Sequence, residues 1–143
     1  MKIYLTDDDK EDRLLFIGAL EEIPMETEVI EFKNGVELMA ALHGEASLPH
    51  LIFLDLKMPM MNGFECLADI RGDEKFDAIP VIIYSTFFQE SEIEKLQHMG
   101  ASRYLKKPTS YNLLKTMLFK CLKESQTNAV RPLPDADGFI VSG

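Results

Sequence analysis

Three carboxylates stand immediately after two apolar runs. Asp7 and Asp8 follow Ile3-Tyr4-Leu5-Thr6, and Asp55 follows Leu51-Ile52-Phe53-Leu54. Two further strand-like runs end in a hydroxyl and in a lysine: Val81-Ile82-Ile83-Tyr84 leads into Ser85, and Tyr104-Leu105-Lys106 leads into Lys107-Pro108. This combination suits a hard cation and a phosphoryl group. Octahedral Mg²⁺ takes oxygen ligands and keeps several waters, so Asp7, Asp8 and Asp55 leave room for a carbonyl and a phosphate oxygen. Packed acids repel one another without the ion, which raises their proton affinity and costs stability. Lys107 would set a fixed positive charge against the phosphoryl group, and Ser85 would offer a hydroxyl donor. With its oxygens neutralised, the phosphorus opens to in-line attack by a carboxylate, giving an aspartyl phosphate.

These residues converge only if the runs before them lie parallel in one sheet, with their C-terminal ends on a shared edge. The pattern supports this. Strands read at 2–6, 27–32, 50–54, 80–84 and 103–106. Leu51–Leu54 and Val81–Tyr84 are almost continuously apolar, as parallel strands covered on both faces are. Thr27–Phe32 alternates, as an edge strand does. Helical patterns fill the intervals at 9–22, 34–43, 62–71, 89–99 and 109–123. On the first, Leu14, Leu15, Ile17 and Leu20 read as the apolar face, with acids in the opening turn to favour the helix dipole. On the third, Phe64, Leu67, Ala68 and Arg71 recur at helical spacing. The fourth carries a narrow stripe of Ile93, Leu96 and Met99. The last carries Leu113, Leu114, Met117, Leu118, Cys121 and Leu122 behind a Thr cap. Five β-then-α units in a chain this short predict a doubly wound α/β sandwich rather than a barrel.

The 143 residues fit one domain with a real core. A formal net charge of -9 gives no general electrostatic attraction to nucleic acid or anionic membranes, so neither is expected as a direct partner. No apolar stretch approaches the roughly 20 residues that span a bilayer, and no signal-peptide pattern opens the chain; a cytoplasmic protein is expected. Cys66 and Cys121 sit among apolar helical residues and read as reduced core thiols. From about Glu124 the pattern breaks into a tail, whose end, Gly138-Phe139-Ile140-Val141, is apolar enough to dock, although a loose terminus is the plainer reading.

Taken together, Asp7-Asp8, Leu54-Asp55-Leu56-Lys57-Met58-Pro59 with Gly63, Pro80 through Ser85, and Tyr104-Leu105-Lys106-Lys107-Pro108 closely resemble the receiver domain of two-component response regulators. The resemblance covers residues 1–123 and leaves 124–143 as a tail with no output domain. It implies a flavodoxin-like (βα)5 fold with strand order 2-1-3-4-5. It implies Asp55 as phosphoacceptor, and Asp7, Asp8, Asp55 and the Lys57 backbone carbonyl as ligands of Mg²⁺. Ser85 and Lys107 would contact the phosphoryl group, and Lys107-Pro108 would be a cis peptide. Tyr104 matches the aromatic that turns inward as the hydroxyl residue moves toward the phosphate. A sensor histidine kinase or His-containing phosphotransfer protein would be the donor. A downstream protein would read the face of the fourth helix, fifth strand and fifth helix. Lys57 and Phe87 occupy the positions that tune loss of phosphate, and Thr86 one that is often smaller. An apolar Phe87 over the site would hinder an attacking water, so slow self-dephosphorylation is expected.

Other readings compete. A pseudo-receiver that only binds proteins usually lacks part of the acid, hydroxyl and lysine set, which is whole here. An aspartyl-phosphate phosphatase would want a second Asp where Lys57 stands. A dinucleotide enzyme would need a Gly-rich turn where Thr6-Asp7-Asp8-Asp9 places negative charge. Residue by residue, Asp9 reads as a helix N-cap more than a ligand. Lys106 reads as a solvated strand residue facing away from its neighbour. Asp69, Asp73 and Asp77 read as surface acids. His43, His50 and His98 lack metal-ligand spacing, and Met58, Met60 and Met61 read as loop packing.

Overall fold

A computed structural model of the chain describes residues 1–44, 47–86, 89–126 and 138–141. Five strands, β1 (Lys2–Thr6), β2 (Glu28–Phe32), β3 (Leu51–Leu54), β4 (Val81–Ser85) and β5 (Arg103–Lys106), form one parallel sheet in the order β2-β1-β3-β4-β5. The helices between them are α1 (Lys10–Glu21), α2 (Gly35–Gly44), α3 (Gly63–Arg71), α4 (Glu90–His98) and α5 (Tyr111–Gln126). This is the order implied by the resemblance, and each predicted element is present, β1 and β5 with the bounds read from the sequence and the others with ends moved by no more than three residues.

The sheet separates two cores. One packs Leu38, Leu42, Cys66, Leu67, Ile70, Ile93 and Leu96 from α2, α3 and α4 against Tyr4, Ile52, Leu54 and Ile83. The other packs Phe16 and Leu20 of α1 and Leu114, Met117, Leu118 and Leu122 of α5 against Ile3, Leu5, Phe53 and Tyr84. All four residues of β3 and all five of β4 are buried, which explains their unbroken apolar sequence; β2 at the edge is only partly covered.

Three helix faces differ from the sequence reading, α5 the least, where only Leu113 of the expected apolar residues is exposed, at 38%. On α1 the buried residues are Arg13, Phe16, Ala19 and Leu20, whereas Leu14 and Leu15 are 58% and 50% exposed. The stripe at i, i+3, i+6 and i+7 from Arg13 wins because Phe16 fits edge-on between Phe53 and Tyr84, at centroid distances of 4.8 and 5.5 Å. On α3, Cys66, Leu67 and Ile70 face inward and Ala68 outward.

The apolar C-terminal segment docks. The Tyr104 amide donates to the Phe139 carbonyl at 2.9 Å, the Val141 amide donates to the Tyr104 carbonyl at 2.8 Å, and Ile140 makes a parallel bridge to Tyr104. Phe139 is buried in the first core and Val141 in the second. The outer edge of β5 is therefore covered by the chain's own end, which removes an exposed pairing edge.

Candidate functional site

Asp7, Asp55 and Lys107 each sit one step beyond a strand, fixed by the last rung of the ladder, and Ser85 is the final residue of β4. The Asp7 amide donates to the Phe32 carbonyl at 3.1 Å, the Asp55 amide to Thr6 at 3.0 Å, and the Lys107 amide to Ser85 at 2.9 Å. The register pairs Thr6 with Leu54 and Ser85 with Lys106, so Asp7 lies beside Asp55, and Lys107 beside the end of β4. Gly63 allows the return of the chain: its amide donates to the Leu56 carbonyl at 2.9 Å, and any β-carbon there would collide with the Asp55 carbonyl. Asn62 then starts α3 with a capping box, its side chain taking the Glu65 amide while Glu65 takes the Asn62 amide.

Asp7, Asp8 and Asp55 present carboxylate oxygens that all lie within 4.8 Å of one another. Asp7 and Asp55 are buried, and Asp8 is exposed at the mouth. Burial pushes the Asp55 carboxyl up to about 7; the Lys107 charge pulls it down and the Asp7 charge pushes it up again. Burial likewise raises Asp7, against a hydrogen bond from Lys107. Two buried acids and one exposed acid, held at this spacing, fit a divalent cation with oxygen preference: it would relieve the repulsion and find the solvent side open for water.

Lys107 reaches into this cluster. Its Nζ lies 2.7 Å from Asp7 Oδ2, 2.8 Å from Asp12 Oδ2 and 3.7 Å from Asp55 Oδ2, with the Tyr84 ring centroid 5.2 Å away. No cis peptide occurs among the described residues, so the Lys107-Pro108 bond is trans and not cis as expected. The two X-Pro isomers differ by only about 0.5–1 kcal/mol, and the trans bond already delivers the lysine to the acids.

Ser85 and Tyr104 are both buried, and a Ser85 hydrogen bond tempers the upward push of burial on the Tyr104 hydroxyl, which stands at about 12. Thr86 and Lys57 are exposed at the mouth. Phe87 lies outside the described residues. Asp9 caps α1, taking the Glu11 and Asp12 amides at 2.9 and 3.2 Å, and Lys106 is exposed. His50 Nδ1 accepts from the Lys2 amide and His43 packs edge-on against Phe76, both away from the acids. Met58 is buried; Met60 is 75% exposed at a φ of 70°.

Three contributors escaped the sequence reading: Asp12 and Tyr84, which hold Lys107, and Arg13. Arg13 donates to the Asp7 carbonyl at 2.7 Å and pairs with Glu31 at 3.0 Å, bracing the turn that carries the acids. A signal for Asp12 existed, since it stands in the first turn of the helix that follows the Asp7-Asp8 pair.

The sequence profile of the response regulator receiver domain matches residues 3–119. The chain belongs to that family. This receiver is 31% identical over 118 residues to the chemotaxis protein CheY1 of Helicobacter pylori, covering 82% of this chain and 94% of that protein. It is 30% identical over 110 residues to the response regulator Rcp1 of Synechocystis, covering 73% and 75% of the two chains. Among solved structures, that of the phosphorylated cyanobacterial phytochrome response regulator RcpA aligns with a TM-score of 0.82 at 32% identity, covering 92% of the receiver and 98% of that chain. The Mn²⁺-bound form of Rcp1 aligns with a TM-score of 0.77 at 28% identity, covering 94% and 99%.

Proposed function

We propose that this receiver accepts a phosphoryl group on Asp55, from a sensor histidine kinase or a His-containing phosphotransfer protein, with Mg²⁺ held by Asp7, Asp8, Asp55 and the Lys57 carbonyl. The observation that carries the reading is the placement of Lys107 Nζ, 2.7 Å from Asp7 and 3.7 Å from Asp55 at the mouth of an acid cluster. An Asp55 oxygen forms the new O–P bond as the N–P bond of a phosphoimidazole breaks; the imidazole nitrogen keeps the electron pair and takes a proton from solvent. Lys107 and Ser85 hold the phosphoryl oxygens, and the cation, when bound, neutralises charge on them. Phosphotransfer histidine and Asp55 must meet at the strand ends, where Asp8, Thr86 and Lys57 are exposed.

The output is a surface, not a turnover reaction. Ser85 ends β4 and reaches the Tyr104 side chain of the neighbouring β5, so a shift of Ser85 toward the phosphate carries to β5 and the α4-β5-α5 face, where a downstream protein reads it. The receiver unit, read from the sequence as residues 1–123, runs on through α5 to Gln126 and takes Phe139 and Val141 back into its cores, and the cytoplasm, where sensor kinases expose their phosphohistidines, is its place. A similar unit occurs within a kinase: the chain is 26% identical over 121 residues to a segment making up 15% of the sensor histidine kinase CheAY of Helicobacter pylori. Of the described residues, no helix is long and apolar enough to cross a membrane.

Intact-mass spectrometry after incubation with acetyl phosphate tests the reading. One Mg²⁺-dependent phosphoryl adduct, absent in Asp55→Asn, is expected. An adduct that survives in Asp55→Asn would remove Asp55 from its role, and one that forms equally without Mg²⁺ would remove the cation from the reaction. No adduct together with no Mg²⁺ binding would favour a phosphorylation-independent interaction module.

A further inference from the structure

The Lys107 ammonium is shared among carboxylates of unequal standing. Asp7 and Asp55 belong to the group whose oxygens converge within 4.8 Å, whereas Asp12 does not. Asp12 stands in the first turn of α1 with its side chain 31% exposed, and its backbone is fixed by Asp9, whose Oδ1 accepts the Asp12 amide at 3.2 Å. From that position its Oδ2 takes a hydrogen bond from Lys107 Nζ at 2.8 Å. The ammonium also lies over the ring of Tyr84, 5.2 Å from its centroid, and that ring packs against Phe16 and Phe53.

We propose that Asp12 is a positioning residue, which keeps the Lys107 ammonium inside the site when Asp7 and Asp55 turn to a divalent cation. The inference rests on the phosphoacceptor reading above. An ammonium offers three donors and no acceptor. Asp7 Oδ2 is now its nearest partner, yet the same carboxylate is a candidate cation ligand. A divalent ion there competes for Asp7 and repels the ammonium. A lysine that loses its partners has a flexible four-carbon stem and well-solvated alternatives, so it leaves the site. Asp12 is outside the cation cluster and stays available to the ammonium. It holds Nζ within 3.7 Å of Asp55, with a donor left for a phosphoryl oxygen.

The test compares wild type, Asp12→Asn and Asp12→Ala, each with Lys107 intact and with Lys107→Met. In ¹⁵N NMR the Lys107 ammonium, assigned by Lys107→Arg, is expected to give an exchange-protected signal in wild type both with and without Mg²⁺. In Asp12→Ala that signal disappears once Mg²⁺ is added; in Asp12→Asn, which keeps an acceptor oxygen, it weakens. The rate of phosphoryl-adduct formation from acetyl phosphate drops about three- to tenfold in Asp12→Ala, the scale of one charge-assisted hydrogen bond at a partly exposed site. It changes less than about twofold when the same substitution is made in Lys107→Met, because Asp12 then has no ammonium to position. A protected signal that survives in Mg²⁺-loaded Asp12→Ala, or equal slowing in both backgrounds, overturns the proposal. Failure of the phosphoacceptor reading shows differently: wild type gives no adduct at Asp55, while the ammonium signal still decides on Asp12.

Discussion

Phe139 and Tyr104 are joined at the backbone and buried side by side. The Tyr104 amide donates to the Phe139 carbonyl at 2.9 Å, and the two rings, 1% and 0% exposed, share one core. Tyr104 is also the residue assigned to the switch, so the C-terminal segment is clamped onto the strand that would carry the signal. Phe139→Ala should lower stability to urea by about 2–3 kcal/mol, at or just below the usual range for a buried Phe because the segment is short and can open locally. Amide exchange at Tyr104 and Val141 should accelerate more than about tenfold. Unchanged exchange at both amides would mean that the segment is not held there in solution.

The sheet was readable because parallel strands covered on both faces leave long apolar runs, and β3 and β4 are wholly buried. The acids, hydroxyl and lysine were readable because each stands directly after such a run. Helix faces were less so: Leu14 and Leu15 look like core residues by hydrophobicity, yet the rotation of α1 is set by Phe16 packing between Phe53 and Tyr84, a tertiary fit that composition does not encode. In the stretch Asp7 to Asp12, residue type does not separate the cation candidates Asp7 and Asp8 from the cap Asp9 and the lysine partner Asp12; only the entry angle of α1 does. The isomer of Lys107-Pro108 was illegible for an energetic reason, the two forms being separated by about 0.5–1 kcal/mol.

The acid cluster should make metal-free stability depend on pH with a definite sign. Burial raises Asp55 from 3.8 to about 7, and Asp7 is raised as well. Between those values the folded chain keeps a proton that the unfolded chain has lost, so this contribution is full at low pH and fades as pH rises through about 7. Asp55→Asn should therefore raise metal-free stability at pH 8 by on the order of 2 kcal/mol, a Tm increase of roughly 6 °C, and by much less near pH 4. Thermal melts across that range would check it; an equal gain at both pH values would mean that the effect is not ionisation.

Cation binding should run against the same protons. Mg²⁺ requires the carboxylates ionised, so its stabilisation should grow as pH rises from about 5 to 8. Asp8→Asn should weaken Mg²⁺ binding measured by calorimetry by about tenfold or more while shifting metal-free Tm by less than about 2 °C, because this acid is exposed at the mouth and buries no charge. Undiminished affinity in Asp8→Asn would take that residue out of the ligand set.

Gly63 tests whether the backbone around Asp55 is as constrained as it looks. A β-carbon there would run into the Asp55 carbonyl and crowd the Leu56 α-carbon, which are backbone atoms that cannot rotate away. Relief requires the β3–α3 loop to shift, and the Gly63 amide would then lose its 2.9 Å bond to the Leu56 carbonyl. Gly63→Ala should cost about 2–3 kcal/mol by urea denaturation, the scale of overpacking plus a lost buried hydrogen bond. It should also slow phosphoryl-adduct formation more than Gly44→Ala does, since a β-carbon at Gly44 meets nothing within 4 Å. Equal behaviour of the two variants would show that the loop yields freely and that Asp55 is not held by the approach of Gly63.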